Sequence, residues 1–493
     1  MEEITTYQML VNGQWVDASD GKRYDSIDPA SGVVWATMAE ATEEDVNRAV
    51  AAAVAAGSTG PWAQMTPTER GKCLRRLGDL LADASEQLGR VETRDTGKMF
   101  KETRWQATYI AEYFHFYAGA ADKIEGSTLP IDKPDMFVFT NREPLGVVAA
   151  IVPWNSQLFL TAVKIGPALA AGNTVVLKGS ECSAAPILEF GKLIAEAGIP
   201  NGVVNIITGH GDPCGRALTS HPDVARVSFT GGPASAGHVI RNTAENFAEL
   251  SLELGGKSPF IVFDDADIDS AVNGSVAGIF AASGQSCVAG SRLYLHEAIA
   301  DRFLEKMTGI ANSIRIGDPQ EDDTQMGPLC TEAQIRHIEA QLARAVEQGG
   351  RIIAGGSRVS DRDGLFFQPT IIECPDPAMD IVDTELFGPV LAVLRFSDED
   401  DVVAQANRSV HGLAAGIFTR NSARSMRVAR RVRAGIVWVN TYRVISPIAE
   451  FGGSRQSGYG REAGMQAVYD YTRPKTVWVN LSDTPIANPF EPR

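Results

Sequence analysis

The stretch Val147-Val148-Ala149-Ala150-Ile151-Val152-Pro153-Trp154-Asn155 decides the fold class. A short apolar run that stops at a proline, an aromatic and an amide reads as a buried strand ending in a turn. Outward from it the pattern repeats. Residues 174–178, 203–208, 227–230 and 250–254 read as further strands, with helical segments at 158–171, 185–197 and 234–245 between them. Strands alternating with helices imply a parallel sheet with crossover helices, the doubly wound architecture, whose ligands bind beyond the carboxyl ends of the strands. Here those ends carry Pro153-Trp154-Asn155, Lys178-Gly179-Ser180-Glu181, Gly209-His210-Gly211, Thr230-Gly231-Gly232 and Glu253-Leu254-Gly255-Gly256. Five polar or glycine-rich ends predict one large cofactor cleft.

A second α/β unit follows, with strands at 258–263 and 291–296, a helix at 268–282, and alternation continuing through 435–440. Upstream, Thr42-Glu43-Glu44-Asp45 and Thr66-Pro67-Thr68-Glu69 are capping-box helix starts. Their apolar faces are Val46, Ala49, Val50, Ala53 and Val54 in the first and Leu74, Leu77, Leu81 and Leu88 in the second, which are packing elements without chemistry. Segments 136–142 and 476–481, beside Pro130, Pro134 and Pro474, are strand-like and stand apart from both units. An arm pairing with another subunit and an ordinary hairpin in one core both account for them.

The chain has 493 residues, long enough for several domains. Its 45 basic and 61 acidic residues give a net charge of −16 without a basic stripe, which argues against nucleic acid or an anionic membrane as partner. With 44% apolar and 22% charged residues it is too apolar for disorder. No apolar run approaches ~18 residues, and the start Met1-Glu2-Glu3-Ile4 lacks a leader's basic and apolar regions. Cys73, Cys182, Cys214, Cys287, Cys330 and Cys374 are scattered without a C-x-x-C pair, so free thiols and a cytoplasmic location are expected.

Three motifs come close and fail. Gly255-Gly256-Lys257-Ser258 resembles the end of a phosphate-binding loop, but Ser251 stands where its first glycine is required. There is no H-E-x-x-H pair for a metal, and Gly284-Gln285-Ser286-Cys287 is not a hydrolase elbow. What remains is Cys287 itself, set among Ala282-Ser283-Gly284-Gln285-Ser286 and Val288-Ala289-Gly290. Small neighbours leave a sulfur accessible, and a thiolate is the reactive form. A buried apolar cysteine is the bland alternative.

Seven segments in order carry a resemblance: Pro153-Trp154-Asn155, Lys178-Gly179-Ser180-Glu181, Phe229-Thr230-Gly231-Gly232, Glu253-Leu254-Gly255-Gly256-Lys257, the Cys287 segment, Glu385-Leu386-Phe387-Gly388-Pro389-Val390 and Gly458-Tyr459-Gly460-Arg461-Glu462. Together they resemble the NAD(P)-dependent aldehyde dehydrogenase superfamily of the hydrolytic, non-acylating type. The resemblance implies a Rossmann-like cofactor domain (1–121 and 145–256), a second α/β catalytic domain (257–456), and a small β oligomerisation arm with the C-terminal tail (122–144 and 457–493). It makes Cys287 the nucleophile, Asn155 and the Cys287 backbone N–H the oxyanion donors, Glu253 the base that activates water, and Glu462 a proton relay. Simpler roles stay open: a helix cap for Asn155, a surface ion pair for Glu253, and an ion pair with Arg461 for Glu462.

For the cofactor, the resemblance assigns Ile151, Val152, Pro153, Trp154, Lys178, Ser180, Glu181, Gly211, Gly215, Phe229, Thr230, Gly231, Gly232, Leu254, Glu385 and Phe387. A carboxylate at Glu181 accepts from a ribose 2′-OH and repels a 2′-phosphate, which favours NAD, with NADP as the alternative. The sequence departs from the family pattern at Ser156-Gln157, Gly179 and Gly232. Ser156 adjoins the oxyanion amide and widens the tunnel. Other tunnel candidates are Phe159, Leu160, Val163, Ser286, Val288, Tyr442, Arg443, Ile445 and Phe451. A roomy, polar tunnel suits bulky, aromatic or semialdehyde substrates, or cyclic hemiacetals from heteroaromatic breakdown, as in hydroxybutyrolactone dehydrogenases. A broad aliphatic aldehyde dehydrogenase, a cysteine esterase, a silent structural protein and a coenzyme A-acylating enzyme are the competitors; Glu253 speaks against the last. A homo-oligomer, dimer or tetramer, is expected from the arm-like strands.

Overall fold

A computed structural model describes residues 4–490. Met1–Glu3, on which the expectation of no leader rests, and 491–493 at the end of the tail lie outside the described residues. The architecture is mixed α/β, with two large sheets and two small ones. In the first large sheet, Val147–Ile151 pairs in parallel with Thr174–Lys178 on one side and Val224–Thr230 on the other. Val204–Ile207 and Glu249–Glu253 extend the parallel run outward. These strands are almost continuously buried, as parallel strands covered on both faces must be.

Strand order sets the position of the site. The chain runs outward from Val147–Ile151 through Thr174–Lys178 to Val204–Ile207, then returns to the other side at Val224–Thr230. The point of reversal lies between Val147–Ile151 and Val224–Thr230, where an open sheet leaves a crevice at the carboxyl ends. Register aligns those ends: Ile151 opposes both Lys178 and Phe229, Lys178 opposes Ile207, and Thr230 opposes Glu253. Two additions were not legible in the sequence. Met9–Val11 and Gln14–Val16 extend one edge antiparallel, and Gly458–Tyr459, from the segment grouped with the arm, pairs with Glu249–Glu253 at the other.

The second large sheet runs in the order Arg351–Ala354, Thr370–Glu373, Val390–Phe396, Arg292–His296, Pro259–Val262, Ala414–Phe418, Ile436–Val439, and is parallel apart from its first pair. Both early helices form with their capping boxes intact, Thr42 with Asp45 and Thr66 with Glu69. Val54 is a correction: it is exposed, and Ala56 takes the buried position on that face. Leu88 belongs to a separate helix, Ser85–Thr96, that begins after a break at Ala84. Met136–Pro144 and Thr472–Asn480 form one antiparallel ladder with Ser127–Thr128 on its far side, a three-stranded sheet distinct from both cores. Its edge strand exposes Trp478 and Val479. All six cysteines are free, and among the described residues no helix is long and apolar enough to cross a membrane.

Candidate active site

A cavity of about 770 Å³ opens at the reversal point between the two large sheets. That volume lies within the range of small-molecule sites. Of the residues singled out in the sequence, Cys287, Glu253, Asn155 and Glu462 all line it, as do Pro153, Trp154, Thr230, Gly231, Gly232, Leu254, Glu385 and Phe387. The tunnel candidates Ser156, Phe159, Leu160, Val163, Ser286, Val288, Arg443, Ile445 and Phe451 line it too. Tyr442 does not. Its ring packs in the core against Phe260 and Trp438, and its hydroxyl donates to the Val288 carbonyl at 2.8 Å, supporting the Cys287 loop from beneath.

Cys287 follows a run of left-handed backbone, Ala282, Ser283 and Gly284, with φ near +53°, +54° and +73°. Two non-glycine residues in that region are strained and persist only where surroundings hold them. The Ser283 hydroxyl donates to the Gly327 carbonyl at 2.8 Å, and Gln285 accepts from the Cys330 N–H at 2.8 Å. A Cβ on Gly256 would press on the Cys287 carbonyl, so the glycine permits the loop's close approach. Burial, then the charges of Glu385 and Glu253, push the thiol up to about 12, so it carries its proton at neutral pH. Among the described residues the Cys287 backbone N–H meets no backbone acceptor.

Asn155 does not cap the helix Gln157–Ala170, whose N-cap position is Ser156 and carries no side-chain cap bond. Its amide Nδ2 donates to the Gln285 carbonyl at 2.9 Å. An amide nitrogen has two hydrogens, so one anchors the group to the Cys287 loop and the second stays available to the cavity. Glu253 is buried near the Gly453 backbone N–H, and among the described residues neither of its oxygens makes a hydrogen bond of good geometry. Burial first, then the neighbouring charge of Glu462, hold its carboxyl far above the ordinary range. Its burial excludes a solvated strand end, and among the described residues it forms no ion pair.

Glu462 does form an ion pair, but with Lys164 rather than Arg461. Arg461 donates instead to the carbonyls of Gly453, at 2.9 Å, and Gly460, at 2.6 Å. Lys164 is fully buried, reaches Glu462 in a short contact, and also donates to the Ser228 hydroxyl at 3.1 Å. On the cofactor side, Glu385 Oε1 accepts from the Gly256 N–H at 2.9 Å, and a Cβ on Gly255 would collide with the Glu385 carboxylate. Burial raises Glu385 to about 7. The Phe387 ring stands edge-on to Trp154, 5.3 Å between centroids.

Lys178, Ser180, Glu181, Gly211, Gly215, Ile151, Val152 and Phe229 lie outside the lining of that cavity. They stand along the neighbouring strand ends. The Val152 N–H donates to the Lys178 carbonyl, and the Lys178 side chain runs past Gly215. Glu181 and Gly211 are exposed there. Sequence reasoning missed the wall supplied by the helix Phe100–Ala120. Trp105 stacks on Tyr109 at 5.0 Å, Tyr109 meets Tyr113 edge-on, and Tyr113 meets Phe159 edge-on. The i, i+4 aromatic spacing was the available signal. Lys98, Gln106 and Lys164 carried none.

A family model, the aldehyde dehydrogenase family, matches residues 15–477. The chain is 54% identical over 485 residues to (Z)-2-((N-methylformamido)methylene)-5-hydroxybutyrolactone dehydrogenase of Acinetobacter baylyi, covering 98% of this chain and 99% of that one. Among solved structures, PnpE in complex with nicotinamide adenine dinucleotide superposes with a TM-score of 0.96 at 42% identity, covering 98% of this chain and 99% of that chain; PnpE comes from a Pseudomonas species. The NAD+ complex of an aldehyde dehydrogenase from Bacillus cereus superposes with a TM-score of 0.95 at 40% identity, covering 98% and 97%. With a family match of that extent and identity of that degree along the whole chain, the protein belongs to the aldehyde dehydrogenase family and is an oxidoreductase that oxidises aldehydes.

Proposed function

We propose that Cys287 is the nucleophile of an NAD-dependent oxidation that releases a free carboxylic acid. The convergence of Cys287, Asn155 and Glu253 on one cavity at the reversal point of the sheet carries this reading. The residues present fit a dinucleotide. Thr230 keeps a buried hydroxyl without a partner, Gly231 and Gly232 leave backbone open at the strand end, and Gly255 leaves the space that Glu385 fills. Glu385 and Phe387 would hold the nicotinamide end, and Lys178, Glu181, Gly211 and Gly215 the adenosine end. When bound, the nicotinamide supplies an acceptor for the hydride.

The chain's own residues divide the remaining work. Because the thiol is protonated at rest, its proton must leave before sulfur attacks the aldehyde carbon; Glu253, in the same cavity, takes it once its own raised carboxyl has given up a proton toward Glu462. As the carbon–sulfur bond forms, the aldehyde oxygen gains negative charge and accepts from the free Asn155 N–H and the Cys287 backbone N–H. Loss of hydride from that carbon leaves a thioester. Once the thiol's proton has moved on through Glu462, Glu253 takes a proton from water, the water oxygen attacks the carbonyl carbon, and the carbon–sulfur bond breaks to give the acid and the thiolate. Glu462, fixed by Lys164, is the group to which Glu253 can pass its proton.

The substrate we favour is a bulky, aromatic or semialdehyde compound, or a cyclic hemiacetal of heteroaromatic breakdown. The aromatic wall, the cavity volume and the name of the Acinetobacter relative support it. Glu181 supports NAD over NADP. The same reading includes the three-part division of the chain given above, a cytoplasmic location, and a dimer or tetramer joined through the exposed Thr472–Asn480 strand.

Absorbance of the reduced nicotinamide, followed with NAD and NADP over a panel of aldehydes, tests the proposal. The native chain turns over with NAD preferred, and Cys287→Ala loses at least ~10⁴-fold in rate. Retention of rate by Cys287→Ala overturns the assignment.

A further inference from the structure

Beside the tunnel lies a buried polar cluster to which the reaction gives no task. Lys98, 2% exposed, follows the left-handed Gly97 that ends the helix Ser85–Thr96 and turns its side chain inward. Its ammonium donates to Gln106 Oε1 at 2.6 Å and to Ser156 Oγ at 3.0 Å, and faces the buried Glu92 carboxylate at 3.8 Å. Burying an ammonium is costly unless its hydrogens are used. Here all three have a direction.

A lysine donates and cannot accept, which fixes the polarity of both neighbours. With Ser156 Oγ accepting from Lys98, the serine proton must point elsewhere. With Gln106 Oε1 engaged, its NH₂ group is the free end. Neither donor has a protein acceptor among the described hydrogen bonds, and both residues line the cavity that holds Cys287. Ser156 directly follows the oxyanion amide in the chain. The cavity therefore presents two donors that share Lys98 as their partner, without a matching acceptor among the described residues.

We propose that Lys98 sets Ser156 and Gln106 as a donor pair that recognises a carbonyl oxygen of the substrate, distinct from the reacting aldehyde, such as a lactone, ester or amide carbonyl. Lys98 is a positioning residue; Ser156 and Gln106 touch the substrate. The inference rests on the aldehyde-oxidation reading and narrows its substrate class. An apolar aldehyde of the same size leaves both donors desolvated and unpaired, and buried unpaired donors oppose binding.

The test compares the ortho, meta and para methyl formylbenzoates with the matching isopropylbenzaldehydes, taking the ratio of kcat/KM within each pair. Comparing ratios between variants cancels the intrinsic reactivity of each aldehyde. In at least one pair the native ratio falls about tenfold in Ser156→Ala and in Lys98→Met, mainly through KM of the ester, while Ser156→Thr, which keeps the hydroxyl, stays near the native ratio. Should Lys98→Met fail to fold, Ser156→Ala and Gln106→Leu decide. Ratios unchanged from native in both of these, in all three pairs, overturn the donor pair while leaving aldehyde oxidation standing. A native protein that oxidises none of the six aldehydes overturns both.

Discussion

The two ends of the cavity are built by different means. The cofactor end is made of backbone: strand termini in register, glycines where a Cβ would collide, and one carboxylate held by a main-chain N–H. The substrate end is made of side chains projecting from two helices, Phe100–Ala120 and Gln157–Ala170. Backbone sites constrain sequence tightly, because few residues tolerate the geometry. Side-chain walls admit many solutions, so that end is where the chain can change its substrate without changing its chemistry.

The largest expected effect lies where the two ends are tied together. Lys164 stands on the substrate-side helix, Ser228 on a cofactor strand and Glu462 on the C-terminal segment. Lys164→Met leaves a buried carboxylate unpaired, and denaturant unfolding should show a loss of 3–5 kcal/mol, by the usual cost of such a break of about that size. Adding Glu462→Gln should recover much of it. A Lys164→Met protein as stable as native would mean the two ends do not depend on this pair.

Next comes Asn155, proposed above as an oxyanion donor, at the boundary. Asn155→Ala should lower kcat by about 10²–10³-fold while the fold survives, since one hydrogen bond to the Gln285 carbonyl is a small part of the loop's anchoring. A smaller kinetic loss would shift the oxyanion's support to backbone alone and sharpen the contrast between the ends.

The cofactor end also leaves a signature in stability. Glu385 keeps its proton in the folded protein up to about 7, against an ordinary 4.5. Folding gains nothing from this group below 4.5, where it is protonated in both states. Between 4.5 and about 7 the unfolded state gives up the proton while the folded state keeps it, so the folded state loses about 3 kcal/mol across that window and no more above it. Glu385→Gln should remove that slope in cofactor-free unfolding measured at pH 5 and pH 8. A native slope unchanged by the substitution would move the titration to another group.

Legibility in the sequence follows the same division. The five strand ends could be read because backbone geometry selects the residues there, whereas the roles of Cys287 and Glu253 came through the family resemblance, and the fold brings both to one cavity. The parallel order followed from apolar runs alternating with helices. Lys98, Gln106 and Lys164 could not be read, since each looks like an ordinary helix or loop residue until the fold turns it toward the cavity. Tyr442 shows the converse: adjacent in sequence to tunnel residues, it faces the core because its hydroxyl finds the Val288 carbonyl. The Arg461 pairing left open for Glu462 gave way for a related reason, as Arg461 is near in sequence while Lys164 is near in space.

The smallest expected effect tests whether the helical wall reads substrates at all. Trp105 is 58% exposed and, among the described residues, stacks on Tyr109 alone, so Trp105→Ala should cost little stability. An aromatic contact contributes about 0.5–1.5 kcal/mol beyond burial, which is roughly two- to tenfold in binding. The ratio of kcat/KM for benzaldehyde to that for propanal should fall by that factor, carried by KM of the aromatic substrate. Because the indole lies at the cavity wall and not beside the thiol, kcat for the two substrates should move together. If instead the ratio is unaltered, the aromatic stripe serves only to brace the helix against the Ile445 carbonyl that Tyr109 already holds. Selectivity would then rest on the polar pair behind it.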